Sequence, residues 1–556
     1  MIWKSNARLT AILTQATGNV LWKRQICRCA AWAFAQGIQA EASHGSSPTR
    51  KFFQQKPISQ RSFHTGSTAE ISDPLQLLRE IQTRIQREKE YSPVLSSHRR
   101  GPSTNISTLE SKATVSMAGK FGTLYQKLPT IMMKQNGNSA AEDSDCPRRR
   151  VLQFLACDCS VNRQAVDNAV HVYQKVMQEG KLTPHLTTYN RLHDVSAPVY
   201  DEILRYLLLD HAKLGMESIV AIREDVRTWI RSLQAKDTET VNLIEHLKLL
   251  DEQLQGILSL WFVPGLLEHR RITYETTSAK ILEYIVRHEQ VHPVSSLRDL
   301  RRRLGSDRRV FSIFHPTLVE QPLFVLYVAL LPSIPSSMAV IQKADESAQD
   351  EEPTQPKVAC FYSISNLRKG LIGVGMGEYL IHKTVERLQK EIPSLETFCT
   401  LSPIPGFRQW LESDAERHEW ITTEDRQLLA DAMNCAPDDS VRVLLAGLQN
   451  LDDHEAFTAL PNVRQVMLRW TAHYLFHEKH RRKPLDRVAR FHISNGAIMD
   501  RLHWTADLSP KGWRNSFGVM VTYRYDLLQL ESNQMNFESN HLIPRGEEFS
   551  RHVSQE

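Results

Sequence analysis

Along residues 70–265 apolar side chains return every three or four positions, whereas beyond them short unbroken apolar runs alternate with further helical repeats. Asp73 can cap a helix carrying Leu75, Leu78, Ile81 and Ile85, and Ser160 precedes one with Val166, Val170, Tyr173 and Met177 on a common face. Ile219, Ile222, Val226, Trp229, Ile230 and Leu233 repeat in the same way, as do Leu243, Leu247, Leu250, Leu254, Ile257 and Trp261. A period of about 3.6 residues predicts helices that each bury one stripe in a bundle. Runs this short suit a core stripe better than a coiled-coil partner surface. Residues 92–150, rich in Ser, Thr and Asn, interrupt the pattern and read as a disordered insertion.

From about residue 266 the pattern changes. Residues 309–314 and 323–331 predict neighbouring strands and 357–365 a third, with the acidic stretch 342–356 as a hairpin or loop between two of them. A helix from about Gly377, burying Leu380, Ile381, Val385 and Leu388, and a strand over 397–401 follow. The expectation is an α + α/β protein. A helical bundle domain occupies 70–265, a mixed α/β domain 266–540 and a C-terminal tail 541–556.

Composition narrows this. A chain of 556 residues with 41% hydrophobic positions, 10 Trp and 19 Phe excludes both a single short module and disorder throughout. The net charge of +5 is uneven: residues 1–69 hold nine basic residues and one acid, Glu41, leaving the remainder at −3. The basic excess is therefore no sign of a nucleic-acid partner. An acid-poor start that gathers Leu9, Ile12 and Leu13 on one helical face reads as a mitochondrial transit peptide and linker over 1–69; a basic tail is the plain alternative. The longest apolar run, 323–331, is far shorter than the roughly 20 residues of a membrane-spanning helix, so no membrane span is expected. Eight cysteines without paired spacing signal neither a disulfide scaffold nor a structural zinc site.

Two strings carry candidate chemistry. His288-Glu289-Gln290-Val291-His292 matches the helical zinc-peptidase pattern, but Pro293 biases His292 out of the helix and no third ligand is evident, so no metal is expected. Lys369-Gly-Leu-Ile-Gly-Val-Gly-Met-Gly377 lies between a strand and a helix. Glycines there can turn backbone N–H groups toward a diphosphate at the helix N-terminus, or simply make a tight turn. The string lacks the Gly-Lys-Ser/Thr ending of a nucleoside triphosphate loop.

That order of strand, glycine loop and helix resembles the acyltransferase (GNAT-like) fold, whose loop binds the pyrophosphate of coenzyme A. Phe361-Tyr-Ser-Ile-Ser365, Gly373-Val-Gly-Met-Gly377, Leu401-Ser-Pro-Ile-Pro-Gly-Phe407, Phe491-His-Ile-Ser-Asn-Gly-Ala497, Trp504-Thr-Ala-Asp507 and Tyr523-Arg-Tyr525 occur in the order found in the malonyl-CoA decarboxylase family. The chain resembles that family over about 265–530, with Val291-His-Pro-Val294 at the start, and more loosely before it. The resemblance implies Ser402 and His492 as the catalytic pair. It places the acyl-CoA on the backbone of Ile372, Gly373, Val374, Gly375, Met376, Gly377 and Glu378, and Tyr525 near the active site. It further implies a GNAT-like catalytic domain, a homotetramer formed through the helical domain, a role in fatty acid metabolism and no cofactor. The location expected is the mitochondrial matrix, with cytoplasm or peroxisome as alternatives. The Ser-Lys-Leu ending of some members is replaced by Ser554-Gln555-Glu556, and stretches near 92–150 and 411–465 have no assigned role.

The implied reaction converts malonyl-CoA to acetyl-CoA and carbon dioxide through an enolate. It calls for stabilisation of an oxyanion and for delivery of a proton, for which His492 is the expected donor. Ser402, stiffened by Pro403 and Pro405, is suited to orient the carboxylate or support the oxyanion. Without the family context, a Ser before Pro is a turn residue and a lone His structural. No Gly-x-Ser-x-Gly elbow favours a serine hydrolase. An acyl-CoA N-acetyltransferase and a non-catalytic acyl-CoA-binding protein are the rival readings.

Overall fold

The computed structural model describes residues 73–91, 104–128, 146–179, 182–210, 212–234, 237–289, 291–343, 355–413, 420–449 and 454–553. The expected leader over 1–69, most of the acidic stretch 342–356 and the end of the tail lie outside them.

The first described part is helical: α1 (Pro74–Tyr91), α2 (Thr104–Lys127), α3 (Pro147–Gln153), α4 (Arg163–Glu179), α5 (Leu182–Ser196), α6 (Val199–Asp210), α7 (Ala212–Ser232) and α8 (Thr238–Trp261). The stripes read on α1, α7 and α8 are largely buried, whereas the one expected on α4 is not: Val166, Val170 and Tyr173 are half-buried and Met177 is exposed. Ile219, Ile222 and Val226 of α7 face Leu247, Leu250 and Leu254 of α8 across the α7–α8 packing, all fully buried. Asp237 caps α8, accepting the Thr240 N–H at 2.7 Å.

Helix α2 falls inside the stretch read as a disordered insertion and corrects that reading. Its Ser and Thr content hides a stripe of Ala118, Phe121 and Tyr125, all fully buried where α2 packs on α6 and α7. The Tyr125 hydroxyl donates to Asp225 at 2.8 Å, and Arg148 reaches the same oxygen at 2.6 Å. A weak local preference yields here to tertiary burial.

The second part is built on one sheet. Its strands are β1 (Glu268–Ile272), β2 (Arg308–Phe314), β3 (Phe324–Leu331), β4 (Val358–Asn366), β5 (Thr397–Thr400) and β6 (Ser402–Pro403), then, after a small β7 (Lys479–His480) and β8 (Lys483–Pro484) hairpin, β9 (Ile498–His503) and β10 (Met520–Tyr525). The order is β1-β2-β3-β4-β5-β10-β6, with β9 beside β10. The first four strands run antiparallel to their neighbours; β4 and β5 are parallel, as a helical crossover between them requires. Strand β1, Glu-His-Arg-Arg-Ile, carries almost no apolar signal of its own and is defined by its pairing with β2.

Among the described residues thirteen helices accompany the sheet: α9 (Ala279–His288), α10 (Leu297–Arg303), α11 (Met338–Lys343), α12 (Met376–Glu391), α13 (Phe407–Ser413), α14 (Thr423–Met433), α15 (Pro437–Gly447), α16 (His454–Thr458), α17 (Pro461–Phe476), α18 (Arg487–Ser494), α19 (Pro510–Ser516), α20 (Leu530–Asn540) and α21 (Glu547–Ser550). Val325, Tyr327, Ala329, Val358 and Cys360 of the sheet form one core with Ile281, Leu282 and Ile285 of α9. The described residues of the stretch near 411–465 are largely helical, and its Asp425 accepts the indole N–H of the buried Trp470 of α17 at 3.2 Å.

One irregularity positions the site. The parallel ladder of β4 and β5 runs only from Val358/Thr397 to Phe361/Thr400. Past Thr400 the chain turns to β10, where Ser402 lies opposite Val521. Strand β4 continues to Asn366 on the β3 side, with a register shift at Tyr327/Val328. Beside Ser402 the two parallel strands are therefore no longer paired: β4 stays with β3 and the chain after β5 with β10.

Candidate active site

His492 sits in the last turn of α18, whose start is set by Asp486. One carboxylate oxygen of Asp486 accepts the N–H groups of Val488 and Ala489 at 2.9 and 2.8 Å. The helix turns Ala489, His492 and Ile493 into the protein. Ser402 begins β6, Thr400 ends β5, and Tyr523 and Tyr525, two residues apart on β10, face the same side.

These residues meet around one imidazole. His492 Nε2 lies 3.2 Å from Ser402 Oγ, and Nδ1 lies 2.8 Å from the Tyr525 hydroxyl. The Ser402 hydroxyl donates to Thr400 Oγ1 at 2.9 Å, so its oxygen is left to accept from His492. That direction puts the ring proton on Nε2 and makes Tyr525 the donor to Nδ1. Tyr523 stacks on the ring, centroids 4.5 Å apart and planes 24° apart, and its backbone N–H donates to Thr400 Oγ1 at 3.2 Å. Thr400, Ser402, His492, Tyr523 and Tyr525 are all buried.

Burial sets the protonation states. With hydroxyls as its neighbours, His492 is held down to about 3 by desolvation, so the resting ring is a neutral imidazole and not a cation poised at its ordinary value. Burial, with a smaller contribution from the Glu378 carboxylate, pushes Tyr525 well up and keeps its proton on oxygen.

The glycine string forms a tight cradle beside this pocket. After β4 the chain makes a 3-10 turn at Lys369–Leu371, and Gly373 and Gly375 take positive φ of 86° and 52° before α12 begins. Gly375 caps α12 with no side chain, leaving the first-turn N–H groups of Met376, Gly377 and Glu378 without intrahelical acceptors. Ile372 is partly exposed, whereas Val374 and Met376 are buried. A Cβ on Gly377 would stand 2.8 Å from the Phe491 ring, so the first turn of α12 rests against the residue preceding His492. Glu378 accepts from Gln534 of α20 at 3.0 Å. The predicted loop residues and the predicted Ser402, His492 and Tyr525 thus lie in one neighbourhood.

The His-Glu-x-x-His string is used otherwise. Helix α9 ends at His288, so the two imidazoles do not share a helix face. Glu289 is a buried acceptor: one oxygen takes the N–H groups of Val291 and His292 at 2.8 and 3.0 Å and the hydroxyls of Ser363 and Ser365 at 3.3 and 2.7 Å. Among the described residues no three His, Cys, Asp or Glu side chains are grouped to hold a metal ion.

Sequence reasoning quoted Tyr523 without a role and missed Thr400, Asp486 and two residues of the helical part, Arg223 and Gln255. Arg223 donates to the carbonyls of Gly370 and Ile372 at 2.6 and 2.8 Å, and Gln255 to that of Gly373 at 3.0 Å. A signal for Arg223 exists: it lies four residues after Ile219 and three before Val226, on the buried stripe, where a charge requires partners.

With this geometry in place, similarity to known proteins is informative. Residues 265–555 match the model of the malonyl-CoA decarboxylase C-terminal domain, and residues 159–262 that of the malonyl-CoA decarboxylase N-terminal domain. The mitochondrial malonyl-CoA decarboxylase of Anser anser anser is 33% identical over 416 residues, covering 73% of this chain and 80% of that protein. The mitochondrial malonyl-CoA decarboxylase of Rattus norvegicus is 32% identical over 420 residues, covering 73% and 82%. Among solved structures, malonyl-CoA decarboxylase from Rhodopseudomonas palustris superposes with a TM-score of 0.64 at 27% identity over 86% of this chain and 99% of that one. The enzyme from Agrobacterium vitis gives 0.63 at 28% identity, over 86% and 100%.

Proposed function

The chain belongs to the malonyl-CoA decarboxylase family, and from that premise we propose that it converts malonyl-CoA to acetyl-CoA and carbon dioxide in the pocket around His492. The observation that supports the reading is one buried imidazole engaged on both nitrogens, by Ser402 and by Tyr525, next to a glycine cradle at a helix N-terminus.

Within residues 372–378 the cradle would take the diphosphate of coenzyme A on the N–H groups of Gly373 and of Gly375 to Glu378, those of Ile372 and Val374 donating to the carbonyls of Lys369 and Leu371. The end of the β4–β5 pairing would admit the pantetheine toward Ser402. This loss of pairing, with antiparallel strands before it and a parallel pair across α12, supports a GNAT-like catalytic domain over 266–540, joined to a helical domain over 70–265. When the carboxylate leaves as carbon dioxide, its bonding electrons pass to the thioester and form an enolate. With its hydroxyl turned from Thr400 to the substrate, Ser402 orients the departing carboxylate or supports the enolate oxygen. The enolate carbon is a strong base, so a neutral imidazole N–H can protonate it. Nε2 of His492 gives up its proton as the Tyr525 O–H delivers one to Nδ1, and solvent restores the tyrosine on product release. The thioester acts as the electron sink.

The test is to incubate the full-length protein with malonyl-CoA and follow acetyl-CoA. Wild type should form it and His492→Ala should form it far more slowly; no product from wild type would overturn the reading. The relatives' mitochondrial names and the basic residues 1–69 support a matrix location, which import of a fusion carrying residues 1–69 tests; a fusion left in the cytosol would overturn it. The helical domain is proposed to assemble a homotetramer, to be checked by sedimentation of the purified protein.

A further inference from the structure

The backbone of the coenzyme loop is held from outside its own domain: two of the four bonds come from Arg223, one from Gln255, which Arg223 itself holds, and one from Glu224. Arg223 of α7 is fully buried. Its Nε donates to Asp251 at 2.9 Å and one terminal nitrogen to Gln255 at 2.9 Å, both on α8. Its other terminal nitrogen bridges the carbonyls of Gly370 and Ile372 at 2.6 and 2.8 Å. Gln255 turns its amide N–H to the Gly373 carbonyl at 3.0 Å. Glu224, the neighbour of Arg223, faces the Gly370 N–H and the Arg368 guanidinium, each at 3.3 Å. The approach leaves no room for a side chain, since a Cβ on Gly370 would stand 2.2 Å from the Val220 carbonyl oxygen.

The direction of these bonds matters more than their number. In a trans peptide the carbonyl and the following N–H point opposite ways. Drawing the Ile372 carbonyl into the helical layer therefore turns the Gly373 N–H outward. Gly373 and Gly375, which follow, take their positive φ at no steric cost, so glycine permits the loop's shape and the anchor selects it among the many that a glycine-rich segment could adopt. A buried guanidinium saturated with rigid acceptors is a suitable one, because its planar fork fixes several acceptors at once.

We infer that Arg223 and Gln255, on helices α7 and α8, are positioning residues that set coenzyme affinity by holding the diphosphate loop in its binding shape. The inference rests on the reading of residues 372–378 as the diphosphate cradle. It predicts an effect on substrate binding with the chemistry at His492 spared, because neither residue contacts Ser402, His492 or Tyr525.

Two substrates and three proteins test it: malonyl-CoA and malonyl-pantetheine, which lacks the diphosphate, with wild type, Arg223→Gln and Gln255→Ala. Wild type should show a much lower KM for malonyl-CoA. Arg223→Gln should raise that KM about tenfold or more, and Gln255→Ala a few-fold, in keeping with the loss of charged and neutral hydrogen bonds, while kcat stays within a few-fold. With malonyl-pantetheine both variants should match wild type. Equal loss on both substrates, or a loss confined to kcat, would overturn the positioning role. Equal KM for the two substrates in wild type would instead overturn the cradle. Should Arg223→Gln fail to fold, Gln255→Ala, which removes no buried charge, gives the same contrast.

Discussion

The Arg223 cradle and the His492 pocket bury polar groups in opposite ways. Around Arg223 a permanent charge is surrounded by a carboxylate, an amide and two carbonyls, so its desolvation is offset and the loop is pinned. Around His492 the partners are two hydroxyls and an aromatic face, and no charge offsets the burial. The ring therefore gives up its proton rather than its position. A saturated buried charge makes a rigid support, whereas an imidazole kept neutral by its surroundings stays able to exchange a proton.

That contrast can be broken first at His492. His492→Ala should lower kcat by roughly 10²- to 10⁴-fold with little change in KM, the range of a positioned proton donor. A loss below tenfold in steady-state assays would move the chemistry elsewhere. Ser402→Ala should cost about 10²-fold in kcat, as expected where one donor to a developing charge is lost. Tyr525→Phe removes only the proton behind Nδ1 and should cost about tenfold, with the melting temperature nearly unchanged. Activity equal to wild type would show that Nδ1 needs no donor.

The smallest effect is on the pH profile of kcat. His492 is lowered from 6.5 to about 3, so kcat should show no histidine inflection near 6.5, and one there would mean the ring is charged in the working enzyme. Stability responds instead. His269, His315 and His503 are likewise lowered by burial, each to about 4. Below 6.5 the unfolded chain binds protons that the native state refuses, so stability is fully present above 6.5 and is lost as pH falls toward 4 and then 3. Urea unfolding at pH 7, 5.5 and 4.5 should show a steadily falling midpoint, and a flat series would contradict the neutral buried rings.

Long-period features were legible directly. The stripes of α7 and α8, the apolar runs of β2, β3 and β4, and the glycine string before α12 each carry their signal within a few residues. Strand β1 and helix α2 were not. The first is a charged segment that becomes a strand by pairing with β2, and the second is a Ser- and Thr-rich segment whose Ala118, Phe121 and Tyr125 find a surface on α6 and α7. At the site, Ser402, His492 and Tyr525 were named through a family resemblance, while Tyr523 stood in the same string as Tyr525 without a role and Thr400 completes the pocket without a motif of its own. The His-Glu-x-x-His string shows the converse: its spacing suggests a metal, but α9 stops at His288 and Glu289 serves two strand serines.

Apart from β1 and α2, the succession of helices and strands was already written in the chain, as were the glycines a left-handed turn would need, because periodicity and backbone preference act over short distances. Only the tertiary structure decided that the Arg223 guanidinium meets the carbonyls of Gly370 and Ile372, and that His492 lies between Ser402 and Tyr525. Those partners are 147, 149, 90 and 33 positions apart along the chain. Contacts at such separations depend on how whole layers pack, and so does the dryness that sets the protonation of the imidazole.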